Sequence, residues 1–439
     1  MSEVEPPDHL PAAPATVADD HPYALFRNRD FVLYLTGRLV AVIGQQMFAM
    51  AIGWEIYERT GSALALGLVG LMQMIPMFLF TLPAGHIADN FDRKRVVVLT
   101  TAALAAASIG VAVISALQAP VCWIYLCLFA SATARTFTWA ANAAFLPALV
   151  SRTEFSRAVN LNAAMFQFSC IVGPATAGGI IAWMARHHPT SPAAPVYVIN
   201  ALAALVFCVL ISMIRRQHVV QNKEPMTFRA LLTGFKFVFA NQIILGIITL
   251  DMFAVFLGGA TALLPIYAKD ILFVGPTGLG FLQAALPTGS LLCAFILNHR
   301  RPLQKAGRAL LWAVTAFGLA TITFGFSTWF WFSILMLFTC GAVDNISVVV
   351  RHTLVQMLTP DEKRGRVSAV NNLFIGTSNE LGGFESGMVA QIFGPTVGNT
   401  LVTGAMISVV SGGMGTILTV LVVAWAWPQI RRYGRLDAT

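Results

Sequence analysis

Long apolar stretches recur along almost the whole chain, and they constrain its fold more than any other feature of the sequence. A helix needs about 20 mainly apolar residues to cross a bilayer. Twelve such stretches occur, at residues 31–57, 63–87, 95–117, 121–149, 158–185, 195–214, 242–267, 277–297, 308–326, 329–357, 367–393 and 401–427. With 57% hydrophobic and 11% charged residues, the composition also lies outside the range of soluble domains. The sequence therefore predicts an all-α membrane protein with twelve transmembrane helices.

Positive charge alternates between the connections that join these stretches. Clusters of lysine and arginine precede the first stretch and follow every second one, whereas the other connections contain only Arg59, Arg186 and Lys269. Because basic loops are retained on the cytoplasmic side of a membrane, we expect both ends of the chain in the cytoplasm and the loop around His187 outside. The formal net charge of +8 then needs no nucleic acid to explain it, and no nucleic-acid partner is expected.

The second part of the chain repeats the first. Residues 128–174 align without a gap with residues 337–383, and the alignment pairs Arg157 with Arg366. Transporters are often built from repeated halves, so we expect two pseudo-symmetric six-helix halves. The predicted units are a disordered cytoplasmic tail at 1–24, an N-terminal half at 25–214, a cytoplasmic linker with an amphipathic helix at 215–241, a C-terminal half at 242–430 and a tail at 431–439.

Motifs for enzymes and for metal sites are missing from the sequence. The six cysteines are scattered through the apolar stretches without a CxxC pair or a histidine at ligand spacing, which argues against a metal site and a disulfide framework. No P-loop, HExxH, GxSxG or DDxxD motif is present. The sequence therefore predicts no enzyme, no cofactor and no metal, and any transport must use an ion gradient or the gradient of the substrate itself.

One short connection, "PAGHIADNFDRKRVVVLT" at residues 83–100, concentrates charge between the second and third stretches. From composition alone it is a basic anchor with incidental acids. It also carries a G-x-x-x-D-x-x-x-R-K-x pattern made of Gly85, Asp89, Arg93, Lys94 and Arg95. This pattern resembles the signature turn of the major facilitator superfamily, although Asp92 stands where the general pattern has glycine. Three segments are similar to the bacterial drug and siderophore exporter branch of that superfamily. They are "DNFDRKR", "GWEIYERTGSALALGLVGL" and "ARTF".

The resemblance implies the major facilitator fold and a secondary transporter in which the turn around Asp89 acts as a conformational switch. A second likeness is "GPATAGG" in the fifth stretch, which resembles the GP-x-x-GG segment of the superfamily's antiporters with one residue more between the two pairs. Its residues are Gly173, Pro174, Gly178 and Gly179. Small residues and a proline suit a helix that bends or slides against its neighbour, and ordinary tight packing is the alternative interpretation.

Ionisable residues inside the apolar stretches are the main pointers to function, because each is unfavourable there unless it faces protein or water. Those deep enough to count are Arg135, Asp251, Asp344, Arg351, Glu380 and Glu385, whereas Arg38 and Glu55 lie nearer the ends of the first stretch. Under the repeat, Arg135 and Asp344 occupy equivalent depths, so we expect them to attract each other across a central cavity. In the resembled family, an arginine at the position of Arg135 handles protons or substrate. The alternative is a static buried pair that fixes how the helices pack.

The proton carrier is expected among these acids. Asp251 has apolar neighbours in "ITLDMFAVF" and no cation nearby in sequence, and burial without a cation favours the protonated form of a carboxyl group. We therefore expect proton coupling at Asp251, with Asp344 and Arg135. Glu380 and Glu385 fit a cavity role and a packing role equally. Because small-molecule sites mix apolar faces with hydrogen-bonding groups, the expected cavity also includes Gln45, Gln46, Trp139, Asn142 and Arg351.

These features together predict an exporter in the bacterial inner membrane. It would act as a monomer within the lipid bilayer and expel an amphipathic small molecule, such as a drug or a siderophore, in exchange for protons. Two alternatives are a facilitator that uses no proton and a lipid flippase of the same fold. A further alternative is a membrane sensor that binds its ligand without transporting it.

Overall fold

The computed structural model of the chain describes residues 24–151, 153–215, 235–299, 305–397 and 401–434. Every regular element within these residues is helical. We number the long helices in chain order. They are α1 (Arg29–Thr60), α2 (Ala63–Asn90), α3 (Arg93–Ala116), α4 (Val121–Leu149), α5 (Phe155–His187), α6 (Ala194–Ser212), α7 (Gln242–Leu257), α8 (Gly275–Asn298), α9 (Ala306–Gly325), α10 (Phe330–Leu358), α11 (Asp361–Val397) and α12 (Leu401–Ala426).

Short helical segments accompany the long helices. A single turn, Ala24–Arg27, precedes α1, and Pro428–Arg432 follows α12. After α7 the chain continues as a 3₁₀ turn, Ala260–Leu263, and a π-helical turn, Tyr267–Ile271. The linker with its amphipathic helix is predicted at residues 215–241. Residues 216–234 of it lie outside the described residues, as do most of both predicted tails, and residues 235–240 are helical.

Capping residues allow the helices to follow one another with connections of only a few residues. Asn28 Oδ1 accepts a hydrogen bond from the backbone N–H of Asp30 at 3.1 Å before α1, and Asp92 Oδ1 accepts one from that of Lys94 at 3.0 Å before α3. Side-chain oxygens at this position satisfy N–H groups that a helix leaves without partners. Gly61 ends α1 with a φ of 57°, a left-handed conformation that favours glycine.

Among the described residues, eleven helical segments are long and apolar enough to cross a membrane by length and composition. The sequence predicts twelve, and α11 makes the difference. Its 37 residues form one helix, but it is rich in polar side chains. Asn371, Ser378 and Ser386 are almost fully buried, with 3%, 2% and 2% of their surface exposed. Part of the polarity of α11 is therefore turned toward other helices.

Contacts between helix ends define two ends of the bundle. The Nζ of Lys94, at the start of α3, donates hydrogen bonds to the carbonyls of Ser212 and Ile214, both at 2.8 Å. The Nδ2 of Asn28, before α1, donates to the carbonyl of Leu149 at 2.8 Å. The starts of α1 and α3 therefore lie beside the ends of α4 and α6. We call this the basic end, and the other the opposite end.

Two helix pairs make the main contacts between α1–α6 and α7–α12, and glycines allow both pairs to approach closely. The first pair is α2 with α11, where a Cβ added to Gly67 would lie 3.2 Å from the Cα of Phe384. The second is α5 with α8, where Gly178 faces the backbone carbonyl of Pro276. Small residues let helix backbones come together in this way. All four helices also line a central cavity.

The apolar core is shared at the opposite end and largely divided at the basic end. The largest cluster of buried side chains joins both groups of helices and includes Met50, Tyr57 and Tyr267. Toward the basic end, the buried cluster around Phe145 belongs to α1–α6, and the cluster around Leu354 belongs to the helices after residue 242. A smaller cluster around Val355 belongs to the second group too, and Leu82 of α2 packs against it. The two groups are therefore held together most firmly at the opposite end.

Candidate functional site

A cavity in the middle of the bundle has two adjoining chambers, with volumes of about 570 and 530 Å³. The first chamber lies between the two groups of helices and reaches α8 and α10. The second lies among α1–α6 and reaches α11. Six residues of α1, α2 and α11 line both chambers: Gln46, Ala49, Val69, Gln73, Asn379 and Glu380. The chambers therefore meet where these three helices face one another.

The second chamber contains several residues expected from the sequence. Gln45, Trp139 and Asn142 line it, and Gln46 lines both chambers. The Nε2 of Gln46 lies 2.6 Å from the Sγ of Cys170 on α5, so this contact fixes the amide between the two chambers. The lining combines an indole, several amides and aliphatic surface, which is the mixture that binds amphipathic molecules.

An ion pair joins α4 to α11 beside the place where the chambers meet. The Nη2 of Arg135 lies 3.6 Å from the Oε1 of Glu380, with 40% and 24% of the two side chains exposed. The expectation that Arg135 pairs with Asp344 is wrong. Arg135 lines the second chamber and Asp344 the first, so equivalent depth does not bring the two side chains together.

Asp344 lines the first chamber from α10. In the part of the chain that the structure describes, no lysine or arginine nitrogen lies within 4.0 Å of its carboxylate. On the neighbouring helix α8, Ser290 also lines this chamber, and its hydroxyl donates to the carbonyl of Gly341 at 2.9 Å. Asp344 is therefore an acid on the cavity wall without an ion-pair partner among the described residues.

Asp251 lies in a different environment from the one its sequence neighbours indicate. Its carboxylate forms an ion pair with the guanidinium of Arg351 on α10, and only 8% and 5% of the two side chains are exposed. Neither residue belongs to the lining of the two chambers. The expectation of an acid without a nearby cation is wrong, because α10 supplies a cation that the sequence around Asp251 does not show. The expectation that Arg351 lines the cavity is also wrong, because its guanidinium is buried against Asp251.

Glu385 also lies away from the lining of both chambers. It is half-buried, and the hydroxyl of Ser386 lies 3.5 Å from its Oε2. Glu380, one and a half turns earlier on α11, faces the cavity. Of the two acids that fitted a cavity role and a packing role equally, Glu380 is therefore the one that the cavity contains.

Amide side chains are the part of the lining that sequence reasoning missed. Gln73, Gln167, Gln283 and Asn379 line the first chamber together with Gln46, and Arg38 lines the second. The amides are uncharged and belong to no recognised sequence motif, and Arg38 is the one charged residue in this set. The available signal was chemical, because a glutamine inside an apolar helix needs a polar partner or water.

The glycine-rich segment of α5 contacts two helices. A Cβ added to Gly173 would lie 2.6 Å from the Cβ of Gln46 on α1, whereas Gly178 faces α8. The carbonyl of Pro174 faces Gly280 of α8 in the same way. Gly179 has open space around it, with no atom within 4 Å of an added Cβ. Three of the four residues therefore lie at helix contacts, and Gly179 does not.

The charged turn between α2 and α3 lies at the basic end. The Nε of Arg93 donates to the carbonyl of Ala88 at 3.3 Å, and the Nε of Arg95 lies 3.5 Å from a carboxylate oxygen of Asp92. Gly85 and Asp89 lie in the last turns of α2, but the side chain of Asp89 falls outside the described part of the structure. A switch role for this turn therefore stays a prediction.

Polar contacts close the cavity at the opposite end. The hydroxyl of Tyr57 donates to the carboxylate of Asp270. The hydroxyl of Ser62 donates to Oε1 of Gln391 at 3.1 Å. Each contact joins one group of helices to the other.

Comparison with known sequences assigns this arrangement to a family. The sequence model of the family described as "Transmembrane secretion effector" matches residues 20–425. The chain belongs to this family. The resemblance to the drug and siderophore exporters of the major facilitator superfamily is confirmed.

Two similar proteins are named as exporters. The enterobactin exporter EntS of Shigella boydii is 24% identical over 336 residues, which cover 76% of this chain and 78% of that protein. Macrolide efflux protein A of Streptococcus pyogenes is 22% identical over 376 residues, which cover 83% and 90%. A solved structure of a bacterial homolog of the human lysosomal transporter Spinster, inward-facing and unoccupied, gives a TM-score of 0.72 at 13% identity and covers 92% of this chain and 97% of that one. This last likeness shows the fold.

Proposed function

We propose that this member of the family exports an amphipathic small molecule across the bacterial inner membrane in exchange for protons. The ion pair between Arg135 and Glu380, at 3.6 Å beside the cavity, carries the proposal. A proton on Glu380 neutralises the carboxylate and removes its attraction to Arg135. Because α4 and α11 belong to different groups of helices, this change alters how the two groups are held together.

The proposed architecture is the twelve-helix major facilitator arrangement, with halves at 25–214 and 242–430. The sequence repeat supports it, as do the two helix pairs that join the groups. The polar side chains of α11 that are buried or line the cavity account for its low apolarity, so α11 can be the remaining transmembrane helix. The carboxylates and amides of a transporter site are expected to interrupt the apolar character of the helices that bear them.

Alternating access is the proposed mode of transport, with the halves rocking about the cavity. The shared core at the opposite end and the largely divided core at the basic end fit a state whose cavity opens toward the basic end. The distribution of basic loops supports a cytoplasmic location for that end and for both termini. In this state the cavity would take up substrate from the cytoplasm.

The substrate is proposed to be a drug, a siderophore or a compound of similar character. The names of the relatives support this class, and so does the mixed lining of the cavity. The proposed partners are this substrate, protons and lipid. We propose that the protein acts as a monomer, since one chain lines the whole cavity, and that it binds no nucleic acid.

The test is uptake and efflux with a defined panel of compounds. Cells with and without the gene are compared for accumulation of erythromycin and ciprofloxacin, and an exported compound is then studied in proteoliposomes with an imposed pH gradient. We expect Glu380→Gln to abolish uphill transport and to retain downhill movement. Glu385→Gln is the matched control, because Glu385 does not line the cavity, and it should behave like wild type.

Each alternative function gives a different result in the same assay. Transport that ignores the pH gradient in wild type indicates a facilitator or a flippase. Binding without any flux indicates a sensor. Uphill transport by Glu380→Gln at the wild-type rate contradicts the proposed role of the ion pair.

A further inference from the structure

Two ionisable side chains on the cavity wall lack an ion-pair partner among the described residues. One is Asp344 in the first chamber, and the other is Arg38 in the second. The Nη1 of Arg38 donates a hydrogen bond to the hydroxyl of Tyr34 at 2.7 Å, but no carboxylate in the described part of the chain lies within 4.0 Å of the guanidinium. The cavity therefore presents one acid and one base that have no counter-charge among the described residues.

The two charges lie in different chambers. Arg38 is eight residues before Gln46 on α1, which corresponds to about 12 Å along the helix axis, and Gln46 lines both chambers. Asp344 lines only the first chamber, on the other side of this junction. The two remaining cavity charges, on Arg135 and Glu380, neutralise each other in their ion pair. The acid and the base without an ion-pair partner among the described residues therefore lie in different chambers, and the ion pair lies beside the place where the chambers meet.

Amides line the place where the chambers meet. Gln46, Gln73 and Asn379 line both chambers, and Gln45 follows in the second. An amide side chain offers both donors and an acceptor, so it can bind uncharged polar groups without a preference for the sign of a charge. A molecule that spans the junction meets hydrogen-bonding groups along its body and a charged residue near each end.

We propose that the substrate is a zwitterion whose ammonium group binds at Asp344 and whose carboxylate binds at Arg38. This inference rests on the proposed export function and names the substrate class of the same cavity. A charged group taken out of water is strongly disfavoured unless an opposite charge compensates it. A dipolar substrate compensates both cavity charges at once, whereas an amphiphile with a single charge leaves one of them unmatched.

Binding of three forms of one scaffold to the purified wild-type protein tests the proposal. Ciprofloxacin has an amine at one end and a carboxylate at the other, its methyl ester lacks the carboxylate charge, and its N-acetyl derivative lacks the amine charge. All three are fluorescent, so their affinities can be measured without transport. Since hydrogen bonds to charged groups are stronger than neutral ones, we expect the parent compound to bind at least about tenfold more tightly than either derivative.

Two variants assign the ends. Asp344→Asn should remove the difference between ciprofloxacin and its N-acetyl derivative, and Arg38→Gln should remove the difference between ciprofloxacin and its methyl ester. The matched controls are Glu385→Gln, an acid away from the cavity lining, and Arg308→Gln, an exposed cation. Both controls should keep the wild-type order of affinities. Asp344→Glu provides a second variant that retains the charge and should retain the preference for the amine.

The results separate this inference from the proposed export. If the wild-type protein binds ciprofloxacin no more tightly than its two derivatives, or does not bind it, the dipolar assignment is wrong even if other drugs are exported. If the order of affinities is as expected but no compound crosses the membrane, the export function is wrong and the binding assignment stands. A preference that survives in both Asp344→Asn and Arg38→Gln also overturns the assignment.

Discussion

The Nζ of Lys269 lies 3.2 Å from the Oε2 of Glu58, so an ion pair joins the π-helical turn after α7 to the last turn of α1. The same Nζ lies 5.6 Å from the centroid of the Tyr57 ring. The two charged side chains are 35% and 47% exposed, and pairs of this kind contribute only about 0–1 kcal/mol. Together with the contact between Tyr57 and Asp270, the pair closes the opposite end with weak interactions that a conformational change can separate.

Reversing one charge of this pair should open the opposite end. In a variant without the native cysteines, Lys269→Glu is expected to increase maleimide labelling of Thr261→Cys, which lines the first chamber, by about fivefold. The reagent is added from the side of the membrane that carries the opposite end. The double change Lys269→Glu with Glu58→Lys should restore low labelling, and Arg186→Glu is the control for charge alone. Equal labelling of the single and double variants would show that the pair does not hold this end closed.

The pair between Arg135 and Glu380 should behave as a coupled unit. Arg135→Gln leaves a carboxylate at the cavity wall without its cation, so downhill movement of an exported drug should slow. Adding Glu380→Gln removes that carboxylate, and we expect the double variant to move the drug faster than Arg135→Gln alone, with a coupling of about 1 kcal/mol. The measurement is a double-mutant cycle on downhill rates in proteoliposomes. Losses that simply add would show that the two residues act independently.

Helix positions were accessible from the sequence, whereas the partners of the buried charges were not. An apolar stretch of sufficient length must be helical in a bilayer, and the stretch predicted at residues 121–149 coincides with α4. The repeat predicts that Arg135 meets Asp344 because both lie at the same depth. Depth does not determine which neighbouring helix a side chain faces, and in the structure α11 supplies the partner, Glu380.

The same limit applies to Asp251. Its sequence neighbours are apolar, but its environment is set by α10, about one hundred residues later in the chain, which provides Arg351. Four of the lining positions expected from aromatic and amide character, Gln45, Gln46, Trp139 and Asn142, do lie in the cavity. Residue character indicates that a side chain tends to line a polar cavity, but the fold decides which charges meet.

Asp251→Asn should act mainly on stability. The change leaves Arg351, with 5% of its side chain exposed, as a buried charge without its carboxylate, and loss of one partner of such a pair typically costs 3–5 kcal/mol. We expect a lower unfolding temperature in detergent and less protein in the membrane. The double variant Asp251→Leu with Arg351→Met removes both charges and should recover most of the lost stability. A variant Asp251→Asn that is as stable as wild type but cannot transport uphill would instead make Asp251 the proton carrier.

The turn between α2 and α3 contains two acids with different expected effects. Asp89→Asn preserves the shape of the side chain and removes its charge, so as a change in the signature turn it should lower transport while membrane abundance stays near normal. Asp92→Asn is the matched change, because Asp92 caps α3 through the N–H of Lys94 and asparagine is an equally good cap. It should leave both quantities nearly unchanged. The check is a transport assay normalised to the amount of protein in the membrane, and unchanged flux in Asp89→Asn would reduce the turn to a topological anchor.

Two adjacent glycines of α5 provide a direct test of the contact between α5 and α8. Gly178 faces the backbone carbonyl of Pro276, and an added Cβ would also lie 3.2 Å from the Cα of Thr277, so neither neighbour can move aside as a flexible side chain would. Gly178→Ala must therefore push the two helices apart, and overpacking of this kind typically costs about 1–3 kcal/mol. Gly179 has no atom within 4 Å of an added Cβ, and alanine has the higher helix propensity, so Gly179→Ala should be neutral or slightly stabilising.

Because α5 and α8 join the two groups of helices, we expect Gly178→Ala to lower both the unfolding temperature and the transport rate, and Gly179→Ala to lower neither. Equal effects of the two substitutions would contradict the close approach of α5 to α8 and, with it, the role of the glycine-rich segment as a contact between the halves.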